Sequence, residues 1–176
     1  DAFRELTAER ALVAELTTQL KTPRDQLSAR IAELSASLKD AEKRIAKFEA
    51  DALATKAPGL ASSAEQAGAV QLVAQSVGSV ASADDLRTLT LNVRDRLGAN
   101  PGVVALAAAL GDRPVVIVAT TEAARSAGAK AGALAKVAAT ILGGGGGGRD
   151  DVAQGGGADP AHIPAALRAV REELVG

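Results

Sequence analysis

Apolar positions in the first third of the chain recur at helical spacing. Leu27, Ile31, Leu34, Leu38, Ala41, Ile45, Phe48 and Ala52 follow one another at alternating steps of four and three, an unbroken heptad seam. That seam predicts a long helix packed on another helix. Upstream, Leu6, Val13 and Leu20 repeat every seven residues, with Leu16 between them, and predict a second, weaker seam. Lys21-Thr22-Pro23-Arg24-Asp25 separates the two. Thr22 suits an N-cap, Pro23 the first helical position, and Asp25 the positive end of the helix. So short a break favours an antiparallel hairpin, in which Leu20 faces Leu27 and Leu6 lies near Ala41. Ile45, Phe48 and Ala52 are then left over, for sequence further upstream, the globular part or a second subunit to cover. Residues 1–56 are read as a helical, coiled-coil arm, a spacer or a dimerising element, with Leu34, Leu38, Ile45 and Phe48 as its packing residues.

The pattern changes at Ala57-Pro58-Gly59 and Ala61-Ser62-Ser63, so residues 57–68 read as a linker and residues 69–176 as a globular α/β domain. Residues 69–77 read as a strand. Ser82 is placed to cap a helix carrying Leu86, Leu89, Val93 and Leu97 on one face and stopping at Gly98. Residues 103–108 and 115–120 are short apolar runs flanking Gly111-Asp112-Arg113-Pro114, which predicts an antiparallel hairpin. A small-residue helix is expected from Thr120-Thr121 to about Leu142. Gly128 and Gly132 would share a face of it, Arg125 and Lys136 would share a face, and Lys130 would point elsewhere. Asp159 and Pro160 then start a last helix, with Ile163, Ala166, Leu167, Val170 and Leu174 on its apolar side. The order strand, helix, strand, strand, helix, glycine loop, helix describes a small α+β sandwich preceded by the arm.

Composition narrows the chemistry. The chain has no Cys, Met, Trp or Tyr, a single histidine and two phenylalanines. Disulfides and thiolate metal sites are excluded, and the usual nucleophile–base pairs are missing. His162 beside a helix start reads as structural or exposed. Asp84-Asp85 and Asp150-Asp151 read as caps and solvated charges more readily than as Mg²⁺ ligands. No apolar run has the roughly 18 residues of a membrane span, and a cytoplasmic setting is expected. The chain starts on Asp1 and enters a helical pattern at once, which suggests the C-terminal piece of a longer protein. Net charge is −1, yet between Leu86 and Arg149 eight basic residues face three acidic ones. A local excess of this kind can bind a polyanion.

The most unusual stretch is Gly143–Gly157, GGGGGGRDDVAQGGG, in which nine of fifteen residues are glycine. Ordering so much glycine is entropically costly. It is justified where the backbone must reach φ > 0 or where something must approach closely. A phosphate-binding P-loop would end in Gly-Lys-Ser/Thr, and a dinucleotide fingerprint would follow a strand and open a helix; neither fits. With no aromatic residue in the globular part, base-stacking platforms are excluded. Nucleic-acid binding would rest on shape, on backbone N–H groups and on Arg and Lys contacts to phosphate and sugar. The candidates are Arg149, Gln154, Lys130, Lys136 and Arg125, with the backbone of Gly146, Gly147 and Gly148.

This stretch resembles the glycine-rich signature near the C-terminus of alanyl-tRNA synthetases, GGxGGGRPDMAQxGG. Gly143, Gly144, Gly146, Gly147, Gly148, Arg149, Asp151, Ala153, Gln154, Gly156 and Gly157 match, while Asp150 and Val152 replace the usual Pro and Met. The α/β part that follows the helical arm is similar to the domain associated with DHH-family phosphoesterases, which usually carry a GGGH-type loop where this chain has Arg149. The resemblance implies an accessory domain that binds the outer elbow of tRNA(Ala), coordinates upstream aminoacylation and editing domains, and in many members dimerises. It also implies a parent that uses ATP, Mg and Zn in parts lying upstream, with no cofactor in this segment. A purely structural or dimerising module, and the substrate-binding half of a DHH-type phosphoesterase, stand as alternatives.

Overall fold

A computed structural model describes residues 2–176, without the side chain of Ala2; Asp1, the first residue of the expected arm, lies outside the described residues. The chain divides into two compact units, one up to Lys47 and one from Phe48 to Gly176.

In the first unit, α1 (Ala2–Leu20) and the start of α2 (Leu27–Ala54) flank a break that contains a short 3-10 turn at Arg24–Gln26. The expected cap is not formed. The Thr22 hydroxyl donates to the Leu20 carbonyl instead, and Pro23 precedes the 3-10 turn. The reason is Lys21, which takes φ +49° at the end of α1 and turns the chain before Thr22 can face the next helix. Leu27 is buried and Leu20 half-buried at this break, but beyond it the seam stays open. Leu34, Leu38 and Ile45 are 40%, 61% and 56% exposed, and Phe48, the first residue of the second unit, is 67% exposed.

In the second unit the last turn of α2 packs through Leu53, a residue the heptad reading leaves off the seam, while Ala52 is exposed. The expected linker is instead structured. Ala57–Ser62 forms α3, with Pro58 in the first turn, where its missing N–H costs nothing. Glu65–Ala67 forms β1, antiparallel to the start of β2 (Val70–Ser79). Pro and Gly here punctuate a helix start rather than a flexible connection.

The rest follows the apolar pattern closely. Ser82 caps α4 (Ala83–Arg96): its hydroxyl oxygen accepts from the Asp85 N–H, and Leu86, Leu89 and Val93 are buried. Gly98 ends the helix at φ +66°. β3 (Gly102–Leu110) lies parallel to β2 and pairs antiparallel with β4 (Arg113–Thr120), as the hairpin pattern predicts.

Two expectations fail beyond β4. The long helix is two helices, α5 (Glu122–Ser126) and α6 (Ala131–Ile141), because Gly128 turns at φ +97°. Gly128 and Gly132 therefore do not share a helix face, nor do Arg125 and Lys136. A run of small residues with high helix propensity hid that break. The glycine stretch, read as a loop, contains two strands, β5 (Gly146–Gly148) and β6 (Val152–Gly156). Asp159 caps a 3-10 turn at Pro160–His162 that leads into α7 (Ile163–Val175).

The sheet has six strands in the order β1-β2-β3-β4-β6-β5. Alternate residues feed two cores. Leu72, Val103, Val116 and Val118 meet α6 and α7 on one face; Val73, Leu106, Ile117 and Val152 meet α3 and α4 on the other. The glycine stretch is thus the far edge of the sheet rather than a connection over it.

Candidate nucleic-acid interface

The β5–β6 hairpin is built by close approach of α6. At the end of α6, Gly143 takes φ +75°, its N–H donating to Thr140 and that of Gly144 to Ala139, the paired bonds of a Schellman stop. The chain then reverses beneath its own helix. A Cβ placed on Gly146 would lie 2.8 Å from the Ala135 carbonyl oxygen and 2.9 Å from the Ala139 Cβ, and one on Gly155 would be 2.9 Å from the same two atoms. On the helix side, a Cβ on Gly132 would lie 2.9 Å from the Gly148 carbonyl oxygen. Gly144 and Gly157 are closed off by the backbone of Gly156 and Leu142. Gly146 and Gly155 of the hairpin and Gly132 of the helix therefore let α6 sit directly on strand backbone with no side-chain layer between them.

The opposite face of this hairpin is open. Gln154 stands there, paired with Ile117 of β4 on one side and Gly147 of β5 on the other. A Cβ on Gly145 or Gly147 would meet nothing within 4 Å. Gln154, Gly145, Gly156 and Arg113 contribute to a shallow groove of about 710 Å³. Of the three backbone positions expected to face a nucleic acid, Gly146 and Gly148 are occupied by α6 and by their own hairpin, and Gly147 is free.

Three of the expected cations converge on the end of β4. The buried Thr120 is the hub. Its N–H donates to the Asp151 carbonyl at 2.9 Å, its hydroxyl to the Asp150 carbonyl at 2.7 Å, and its own carbonyl accepts from Arg125 Nη1 at 2.9 Å. Arg149 forms a two-pronged bond to Asp151, at 2.8 Å from Nε and 2.6 Å from Nη2. Lys130, in front of α6, reaches Asp150 at 3.8 Å. Arg125, Lys130 and Arg149 are therefore already engaged by carbonyls and carboxylates of their own neighbourhood. Lys136 is exposed on α6, apart from this cluster. Thr120 and the role of Asp151 escaped the sequence reading; the one signal was a threonine pair at a strand-to-helix junction, where Thr121 caps α5.

The Arg149 hydrogen bonds hold the Asp151 carboxyl down at about 2, and the guanidinium is raised in turn. Asp150-Asp151 is thus a pair of local counterions. Among the described residues, no three His, Cys, Asp or Glu side chains gather as a metal site requires. His162 is exposed, 3.6 Å from Asp159.

Two outcomes follow for the hairpin. Gly155→Ala forces α6 off the strand and lowers stability by about 1–3 kcal/mol, whereas Gly147→Ala, with open space and an ordinary φ, is neutral or stabilising by up to about 1 kcal/mol. Urea unfolding of the two variants reads the difference. Asp151, whose pKa is lowered on folding, contributes stability that is complete above the ordinary aspartate value of about 3.9 and lost as the pH falls through about 2. Asp151→Asn removes that acid limb from a plot of melting temperature against pH.

Comparison with known proteins places these features in a family. A sequence model of the DHHA1 domain matches residues 69–176. The alanine–tRNA ligase of Leifsonia xyli subsp. xyli is 58% identical over 170 residues, covering 97% of this chain and 19% of that protein. That of Clavibacter michiganensis subsp. michiganensis is 57% identical over 174 residues, covering 99% of this chain and 20% of that protein. The chain thus spans about a fifth of the length of the curated relatives it matches. The crystal structure of the C-Ala domain from Aquifex aeolicus alanyl-tRNA synthetase is similar with a TM-score of 0.58 and 31% identity, over 64% of this chain and 98% of that one. The glycine hairpin, the six-stranded sheet and these likenesses together show that the chain belongs to the DHHA1 domain family, in the form found as the C-terminal C-Ala domain of alanyl-tRNA synthetases.

Proposed function

We propose that this chain serves an alanine–tRNA ligase as its C-terminal accessory domain, binding tRNA(Ala) at the outer elbow by shape and phosphate contact. In that role it coordinates the upstream aminoacylation and editing domains. The observation that carries the reading is the glycine hairpin with Arg149 and Asp151, together with the C-Ala likeness over 98% of the solved domain. Its composition supports recognition of a folded RNA by outline: the second unit from β1 onward has no aromatic side chain to stack on a base. On this reading the ATP-, magnesium- and zinc-dependent chemistry belongs to other parts of the synthetase, in the cytoplasm, and the chain has no catalytic step of its own.

Binding of this kind falls with salt, since each phosphate contact releases a counterion. Filter binding of a folded tRNA(Ala) transcript to the chain should weaken about tenfold or more between about 50 and 200 mM salt if three or more phosphates are contacted. Unfolding the tRNA should remove the binding. Salt-insensitive binding, or equal affinity for single-stranded RNA, contradicts the reading.

A second role rests on a separate observation, the exposed seam of Leu34, Leu38, Ile45 and Phe48 on α2. Apolar side chains at heptad spacing fit another helix, and we propose that a second copy of the chain supplies it. Sedimentation should give a dimer for the natural chain and a monomer for Ile45→Asp/Phe48→Asp, with helicity retained. A monomer for both removes the dimer.

A further inference from the structure

We propose that the main phosphate contacts of this domain are made by Arg168 and Arg171 of α7, in a groove beside β2, rather than by the cations around the glycine hairpin. This rests on the tRNA reading above and assigns it a surface.

Arg149 and Lys130 face Asp151 and Asp150, and Arg125 donates to a backbone carbonyl. A phosphate at Arg149 or Lys130 competes with a carboxylate of the same turn, although each cation keeps N–H donors to spare. Arg168 is exposed and, among the described residues, makes no ion pair. Arg171 lies three residues on, one helical turn and about 4.5 Å along the axis, on the same side of α7. Its partner is Glu65 of β1, in a pair that, like Lys130–Asp150, is exposed and of the kind that contributes little and opens readily.

The groove between β2 and α7 has its own charge pattern. It holds about 390 Å³ and is lined by Ala74, Gln75 and Ser76 of β2 and by Pro164, Leu167, Arg168 and Arg171 of α7, with no carboxylate in its lining. The other grooves mix signs. The one beneath Thr120 sets Arg94 and Arg125 against Asp95, Glu122 and Asp151, and the one beside α4 sets Lys56 against Glu49 and Asp85. Glu65 offsets Arg171 beside this groove and leaves Arg168 as its uncompensated cation; a net positive groove attracts a polyanion more strongly than one of mixed sign.

β1 pairs only with Val70, Gln71 and Leu72, so the rest of β2 has no strand on that side. Lys56 takes the Val77 carbonyl and Gln75 the Ser63 hydroxyl, which leaves the exposed Ser76 hydroxyl without a protein partner among the described residues. Two guanidiniums and a hydroxyl make a donor set for phosphate oxygens and a ribose 2′-OH. Because the set reads no base edge, it serves a domain that recognises RNA by shape.

The test is binding of folded tRNA(Ala) to the chain at several salt concentrations. Arg168→Ala should weaken binding about five- to tenfold at about 0.1 M salt and reduce the salt slope by about one. Arg168→Glu should weaken it further, with the melting temperature unchanged for both. Glu65→Gln, which frees Arg171, should tighten binding about twofold or more; a bridge with only a structural role would leave affinity unchanged or lower it, and that result counts against the groove. If the natural chain binds no tRNA, the tRNA reading itself fails. If it binds and both Arg168 variants bind equally well, the groove alone is wrong. Capture of a polyglutamate peptide by the natural chain, lost in Arg168→Glu while tRNA binding persists, overturns RNA as the occupant.

Discussion

The structure depends on one close contact, the seating of α6 on the bare backbone of β5 and β6. Helix-to-sheet packing normally carries a side-chain layer between the two elements. Here Ala135 and Ala139 meet Gly146 and Gly155, and the peptide units themselves are the packing surface. The arrangement is possible only because neither partner carries a bulky group, and it fixes the path of the chain on both sides. The Schellman turn at Gly143 starts β5 beneath the helix that precedes it, and the Ala158 N–H donates to the Leu142 carbonyl where the hairpin leaves. Glycine's entropic cost is met by this contact and by the pairing of β6 with β4.

The same hairpin carries an electrostatic latch. Between β5 and β6 the chain turns through Arg149, Asp150 and Asp151, and the Asp150 and Asp151 carbonyls are held by Thr120 at the end of β4. Arg149 and Lys130 then neutralise the two carboxylates. The turn joins β4, α5, α6 and the hairpin at one point, which accounts for an Arg-Asp-x pattern directly after six glycines without invoking a ligand. A motif can identify a family and still be spent mainly on the fold.

The readable parts of the chain were those whose side chains face a core. Val115–Thr120 alternates between two apolar layers, and Ser82 sits where an orphan N–H needs an acceptor, so both could be placed from residue types alone. The hairpin could not. β5 has no side chains, and β6 owes its strand conformation to pairing with β4, so neither has a periodicity to read. The split between α5 and α6 turns on one residue, Gly128, inside a run of good helix formers. Thr22 shows the converse error: its type and position suit a cap, but the backbone at Lys21 turns it away. Among candidate site residues, sequence supplied the right neighbourhood for Arg125, Lys130 and Arg149 but not their partners, because an ion pair depends on where two distant segments meet.

Charge count and charge availability are therefore different properties of a nucleic-acid-binding surface. The segment from Leu86 to Arg149 has a basic excess in sequence, yet four of its eight cations are engaged, Arg94, Lys130 and Arg149 with carboxylates and Arg125 with a carbonyl. Pairing does not abolish attraction to RNA, since an exposed pair keeps much of its hydration and can exchange one anion for another. It does lower the gain from a phosphate contact, because the guanidinium must give up a carboxylate of its own chain, which is then left unpaired. A solvated arginine such as Arg168 gains the full effect. The affinity of such a domain should follow its unpaired cations, and its shape should follow the paired ones.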